Sequence, residues 1–298
     1  MHTPRVIIAG GRGVAGTAIT RLLVQRGYRV TLLTRKPASN TRTVDHIAWD
    51  GATPGPWARA LEHACGLINL TGAGQPANAQ EARNAVAVLA DAMGRCKDAP
   101  PVWLQASSLG IYGGDDRTRP ADECTAAGDD AMARSWHAVE ETFQHPDLPG
   151  VRRAVYRLGL VLDDGAQAQQ RLAHFARWTR QAPDDRMEAR LHWIHPDDLA
   201  RLLYWGLRME IIAGPYNACV PNPARLGSLC GFSARESTGI PADCALLGGM
   251  PEALVPAAPR RFIDIAYQFR NEDIAALLSQ APTEQAESPR QSKEAALR

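Results

Sequence analysis

At 298 residues, with 45% hydrophobic and 22% charged side chains, the chain is long enough to bury a full core, as one large α/β domain or a domain with a small appendage. Its net charge of +1 excludes the global basic excess of a nucleic-acid binder, and no uninterrupted apolar run reaches the ~20 residues of a membrane span. The six cysteines (Cys65, Cys96, Cys124, Cys219, Cys230 and Cys244) form no CxxC pair and no zinc spacing, so they read as reduced thiols. The first apolar run ends too early for a signal peptide, and a cytoplasmic protein is expected.

In chain order, the apolar run Val6 to Ala9 predicts a strand and Thr17 to Val24, with apolar residues at helical spacing, a helix. Between them lies Gly10-Gly11-Arg12-Gly13-Val14-Ala15-Gly16. Glycines in a strand-to-helix turn let the backbone bend sharply and approach a pyrophosphate, which the helix N-terminus faces. Gly10, Gly13 and Gly16 give GxxGxxG; Gly11, Gly13 and Gly16 give the related GxGxxG.

Arg29 to Thr34 reads as the second strand. An NAD-binding chain usually places an acid ~20 residues past the glycine turn to accept hydrogen bonds from the ribose hydroxyls. None precedes Asp45 here: residues 1–44 hold eight Arg or Lys and no Asp or Glu. Arg35 and Lys36 follow Thr34 instead, and the Arg35 fork suits a 2′-phosphate, with Arg12 able to approach the same group. NADP(H) is therefore expected over NAD(H). The alternative is that Arg35 and Lys36 are solvated loop charges.

A short strand at Ile47 to Asp50, a short helix at Trp57 to Ala64 and a buried strand at Gly66 to Leu70 follow. The small residues Thr71 to Gly74 leave room for a ligand at the carboxyl end of that strand. A helix over about Ala77 to Cys96 leads to a strand at Val102 to Ala106, which delivers Ser107-Ser108-Leu109-Gly110-Ile111-Tyr112-Gly113. A helix over about Asp129 to Phe143, strands at Val151 to Leu162, Leu191 to His195 and Tyr216 to Val220, and a helix from Pro196 complete the pattern. Strand–helix alternation predicts right-handed crossovers and a Rossmann-like, doubly wound parallel sheet. Arg157, charged within its strand, reads as paired in the core or, less often, as a phosphate contact. His192 and His195 point to opposite faces of a strand, which argues against a shared metal.

The glycine turn and the Ser107 to Gly113 segment together resemble the extended short-chain dehydrogenase/reductase superfamily. More narrowly the chain is similar to its nucleoside-diphosphate-sugar epimerase, cell-division-inhibitor-like branch. The carriers are Leu33 to Pro37, Ile68 to Gly72, Arg157-Leu158-Gly159-Leu160-Val161-Leu162, Trp193 to Leu199 and Tyr216 to Pro223, in that order over roughly residues 5–278. The resemblance implies a Rossmann domain of residues 1–162 and 191–221. It also implies a small C-terminal α+β lobe of residues 163–190 and 222–280 over the active-site cleft; residues 281–298, polar and alanine-rich, read as a flexible or partly helical tail. The implied cofactor contacts are Gly10, Arg12, Gly13, Val14, Ala15, Gly16, Thr34, Arg35, Lys36, Leu70, Thr71, Gly72, Ser107 and Leu158. The implied substrate is a small molecule such as a nucleotide sugar, taken by a monomer or homodimer.

Catalytic members of the superfamily combine a Ser with a YxxxK pair, in which the ammonium lowers the phenol pKa and the serine polarises the substrate oxygen. Ser108 matches the serine. Counting on without gaps puts Ala133 at the tyrosine and His137 at the lysine, and the only lysines in the chain are Lys36, Lys97 and Lys293. His137 and Tyr112 are the remaining candidate proton donors. The opposing readings are His137 as a helix-surface residue and Tyr112 as a packing residue. Two functions stay open: an NADP(H)-dependent epimerase or oxidoreductase, and a non-catalytic NADP(H) sensor.

Overall fold

The computed structural model describes residues 3–72, 78–113, 121–162, 190–219 and 224–225. The main sheet is built from β1 (Arg5–Ala9), β2 (Arg29–Thr34), β3 (Val44–Ala48), β4 (Gly66–Asn69), β5 (Val102–Ser108), β6 (Arg152–Leu158) and β10 (Gly214–Ala218). Their spatial order is β3-β2-β1-β4-β5-β6-β10 with every pairing parallel, so the order reverses between β1 and β4. A ligand crevice forms at such a reversal, beyond the carboxyl ends of the strands.

Alternate residues of each strand feed two cores. Val6, Ile8, Val30, Leu32 and Ile68 face α1 (Val14–Gln25) and α4 (Pro196–Arg208). Ile7, Ala9, Leu33, Leu67 and Trp103 face α2 (Ala79–Gly94) and α3 (Ala131–Gln144). Burial on both faces is why the strands read as apolar runs rather than as alternating patterns. Asp130 caps α3, its Oδ1 accepting from the Ala133 amide at 2.8 Å, and Arg21 of α1 pairs with Asp197 of α4.

Three expectations change. β3 begins at Val44, ahead of the apolar pattern, because a half-exposed edge strand accommodates Asp45 and His46. The predicted strand over Val151 to Leu162 is two, β6 and β7 (Leu160–Val161), separated by Gly159. A Cβ on Gly159 would stand 2.7 Å from the His192 carbonyl oxygen, so another chain segment crosses there. Leu191 to His195 does not return to the main sheet. Within it, β9 (Trp193–Ile194) pairs with β7 in one small sheet, while β8 (Arg190–Leu191) pairs antiparallel with β11 (Ala224–Arg225) in another. Apart from Arg190 and residues 224–225, the C-terminal lobe and the tail lie outside the described residues. Among the described residues no helix is long and apolar enough to cross a membrane.

Candidate functional site

The turn after β1 is constrained on both sides. Gly10 adopts φ +75°, and a Cβ there would come within 2.8 Å of the Thr71 amide nitrogen, so the ends of β1 and β4 touch where only glycine fits. A Cβ on Gly16 would lie 2.3 Å from the Gly11 carbonyl oxygen, which locks α1 against the turn. Gly13 differs: among the described residues a Cβ there would meet nothing within 4 Å. It is the N-cap of α1, with no side-chain cap and no acid in the first turn, so the positive end of the helix opens onto unfilled space.

That space belongs to a cleft of about 740 Å³ at the sheet reversal. Of the expected cofactor contacts, Gly10, Arg12, Gly13, Thr34, Arg35, Lys36, Leu70, Thr71 and Gly72 line it. Val14, Ala15 and Gly16 sit in the first turn of α1 behind it. Among the described residues the buried Thr71 hydroxyl oxygen meets no hydrogen-bond partner, nor does the Trp49 indole nitrogen, and both residues line the cleft. An unpaired buried donor beside an open cleft is the condition a polar ligand relieves.

The charges are less one-sided than the first 44 residues suggest. Arg12 donates to the Lys36 carbonyl and ties the glycine turn to the end of β2. Arg35 Nη1 lies 3.3 Å from Glu81 Oε1, delivered by the first turn of α2. Asp50 also lines the cleft; hydrogen bonds from the Thr53 hydroxyl and the Ala52 and Thr53 amides lower its pKa to about 2. Glu81, Asp50, Asn78 and Trp49 are cleft residues that the sequence reading missed. Nothing local marks them, since the glycine turn and these side chains meet only through the fold.

At the end of β5 a second cluster forms. Ser107, expected at the cofactor, is fully buried and donates to Glu140 Oε1 at 2.7 Å. Glu140 takes a bidentate pair from Arg157, Nε to Oε1 at 3.0 Å and Nη2 to Oε2 at 2.8 Å, so Arg157 is a paired core charge. Burial alone would lower the Arg157 pKa, but the Glu140 carboxylate more than reverses this and raises it. Leu158, beside Ser108 in the β5–β6 register, is buried in the core and does not line the cleft.

Tyr112 is fully buried. Its hydroxyl donates to Asn217 Oδ1 at 2.7 Å and accepts from Arg157 Nη1 at 2.8 Å. Burial pushes its pKa up to about 12, outweighing the nearby guanidinium. The hydroxyl thus bridges a buried network, as the packing reading expects. Ser108 Oγ accepts from the Gly110 amide at 3.1 Å and caps the 3-10 turn Leu109–Tyr112. His137 is exposed on α3 with Nδ1 3.7 Å from Glu141, while Ala133, one turn earlier, is fully buried. His195 is the N-cap of α4, its Nδ1 accepting from the Asp197 amide at 3.2 Å. Among the described residues no group of His, Cys, Asp and Glu could hold a metal ion.

Comparison with known proteins agrees with this architecture. Residues 6–145 match the model of the NAD dependent epimerase/dehydratase family. The epimerase family protein YfhF of Bacillus subtilis is 23% identical over 297 residues, covering 92% of this chain and 97% of that protein. A solved nucleoside-diphosphate sugar epimerase from Corynebacterium glutamicum superposes with a TM-score of 0.71 at 24% identity, covering 93% of this chain and 58% of that one. Human epimerase family protein SDR39U1, solved with NADPH, superposes with a TM-score of 0.69 at 24% identity, covering 92% of this chain and 98% of that one.

Proposed function

We propose that this chain, an extended short-chain dehydrogenase/reductase of the epimerase family, binds NADP(H) in the cleft over β1, β2 and β4. There it serves hydride transfer on a nucleotide-linked sugar or a small carbonyl compound. The observation that carries the reading is the unfilled space at Gly13, at the uncapped start of α1 and beside a rim holding Arg12, Arg35 and Lys36. Gly13 would bring a backbone amide to the pyrophosphate and Gly10, whose own amide donates to the Leu33 carbonyl, would let the turn pass close to it, while Arg35 with Arg12 would hold the 2′-phosphate. The Thr71 hydroxyl would find in the dinucleotide a partner that it lacks among the described residues. When bound, the nicotinamide supplies the hydride donor or acceptor. Ser108, at the carboxyl end of β5, would polarise the reacting oxygen. The relative solved with NADPH and the neighbour described as a nucleoside-diphosphate sugar epimerase support the same choice of cofactor and substrate class.

A second reading has its own observation. Ala133, which the ungapped count from Tyr112 sets at the tyrosine position, is buried, and no lysine lies between Lys97 and Lys293. With the Tyr112 proton committed to Asn217, a non-catalytic NADP(H) sensor would retain the cradle without the proton-transfer pair. Titration with NADPH and NADH, followed by a screen of nucleotide sugars and carbonyl compounds for cofactor oxidation or reduction, separates the two. The enzyme reading expects turnover that Ser108→Ala abolishes; tight NADPH binding with no turnover supports the sensor. Arg35→Glu should weaken NADPH far more than NADH, and equal effects would remove the 2′-phosphate assignment.

A further inference from the structure

We infer that Glu81 sets how strongly the cleft favours a 2′-phosphorylated dinucleotide, by competing with that phosphate for Arg35; this rests on the NADP(H) reading above. Arg35 stands just after β2 and Glu81 in the first turn of α2, 46 positions later in the chain. The fold sets them at the edge of one cleft with Arg35 Nη1 and Glu81 Oε1 3.3 Å apart.

The pair is the right kind to yield to a ligand. The Arg35 side chain is 73% exposed and that of Glu81 37%, so water screens the attraction and Arg35 is released at little cost. The carboxylate, however, stays on α2 when the guanidinium leaves it. A 2′-phosphate taking its place at Arg35 would then sit within a few ångströms of a like charge. Arg12 and Lys36, cations of the same rim, attract the phosphate whether or not Glu81 is present, so the carboxylate's repulsion is superimposed on that attraction; Asp50, the other carboxylate lining the cleft among the described residues, has both oxygens engaged by Ala52 and Thr53. Repulsion of one to two unit charges at a solvent-exposed rim corresponds to about a tenfold change in affinity. NADH presents a neutral hydroxyl at that point and makes no such demand on Arg35. Glu81 is therefore a specificity-determining residue that restrains the NADP(H) preference created by Arg35, narrowing the gap between the two cofactors.

The test uses the full chain, with tryptophan fluorescence as the readout because Trp49 lines the cleft, and NADPH and NADH as the probes. Glu81→Gln should tighten NADPH by about five- to tenfold and change NADH by less than about twofold. Glu81→Asp, which keeps the charge at the helix start but shortens its reach, should give an intermediate gain. In an Arg35→Gln background, where no guanidinium draws the 2′-phosphate to the place beside Glu81, the gain from Glu81→Gln should shrink to less than about twofold. Thermal melts establish that each variant folds. NADPH binding that is unchanged or weakened in Glu81→Gln overturns the competition while leaving the NADP(H) reading intact. Failure of the wild-type chain to bind NADPH overturns that reading, and this inference with it.

Discussion

Replacing Gly13 by alanine separates the two jobs that glycines do in the turn after β1. A methyl group at Gly13 meets no atom of the described residues within 4 Å, and its backbone at φ −75° and ψ 177° is one that alanine adopts without strain. Alanine is a poorer N-cap than glycine by about 0.5–1 kcal/mol, but it also reduces the entropy of the unfolded chain by about 0.4–1 kcal/mol. Net stability should therefore stay within about 1 kcal/mol of the wild type, a shift of about 2–4 °C in melting temperature. Ligand binding should respond quite differently, because the methyl would occupy the space through which a pyrophosphate reaches the start of α1. Overpacking of about 1–3 kcal/mol lowers NADPH affinity roughly 5- to 150-fold. Gly16→Ala supplies the contrast: its Cβ would stand 2.3 Å from the Gly11 carbonyl oxygen, and it should lose stability before any question of binding arises. Differential scanning calorimetry with NADPH titration reads both quantities. A Gly13→Ala protein that melts normally and binds NADPH as tightly as the wild type would refute the claim that a ligand uses this space.

The buried network at the end of β5 gives further expectations. Glu140→Ala leaves the buried Arg157 guanidinium without its carboxylate and should cost about 3–5 kcal/mol in urea unfolding. A loss below about 1 kcal/mol would mean that water reaches the pair. Tyr112→Phe removes the donor to Asn217 and an acceptor for Arg157, for about 1–3 kcal/mol. The same substitution should change the alkaline limb of the stability profile. The fold raises the Tyr112 pKa from 10 to about 12, so its contribution is complete below pH 10 and is lost as pH rises from 10 towards 12. Burial also raises Cys219 and Tyr156, so the diagnostic is the difference between wild type and Tyr112→Phe. That difference should narrow across this window, and a constant one would show that Tyr112 ionises as freely in the fold as in the unfolded chain.

Much of the scaffold was readable because its signals are local. Buried parallel strands announce themselves as short apolar runs, and the glycines after Ala9 mark a turn that admits no other side chain at Gly10 or Gly16. The split at Gly159 and the small sheets around β7, β8 and β9 were not readable. Two-residue strands carry no periodicity, and their partners come from distant segments. The site divides in the same way. Gly10, Arg12, Gly13, Thr34, Arg35 and Lys36 were identified because turn and strand end are each continuous in sequence, whereas Asp50 and Glu81 reach the same cleft from β3's exit and from α2.

By itself, then, the sequence determined the parallel α/β scaffold, the strand-to-helix glycine turn and the absence of a lysine between residues 97 and 293. Each of these is a property of composition or of neighbours along the chain. Tertiary structure alone decided what the charged and hydroxyl groups do. It gave Arg157 to Glu140 and not to a ligand, closed Ser107 and Tyr112 into that network, and set Glu81 against Arg35 at the mouth of the cleft. The reason is electrostatic: a side chain's role follows from the partner and the solvent it meets, and both are fixed by contacts between residues far apart in sequence.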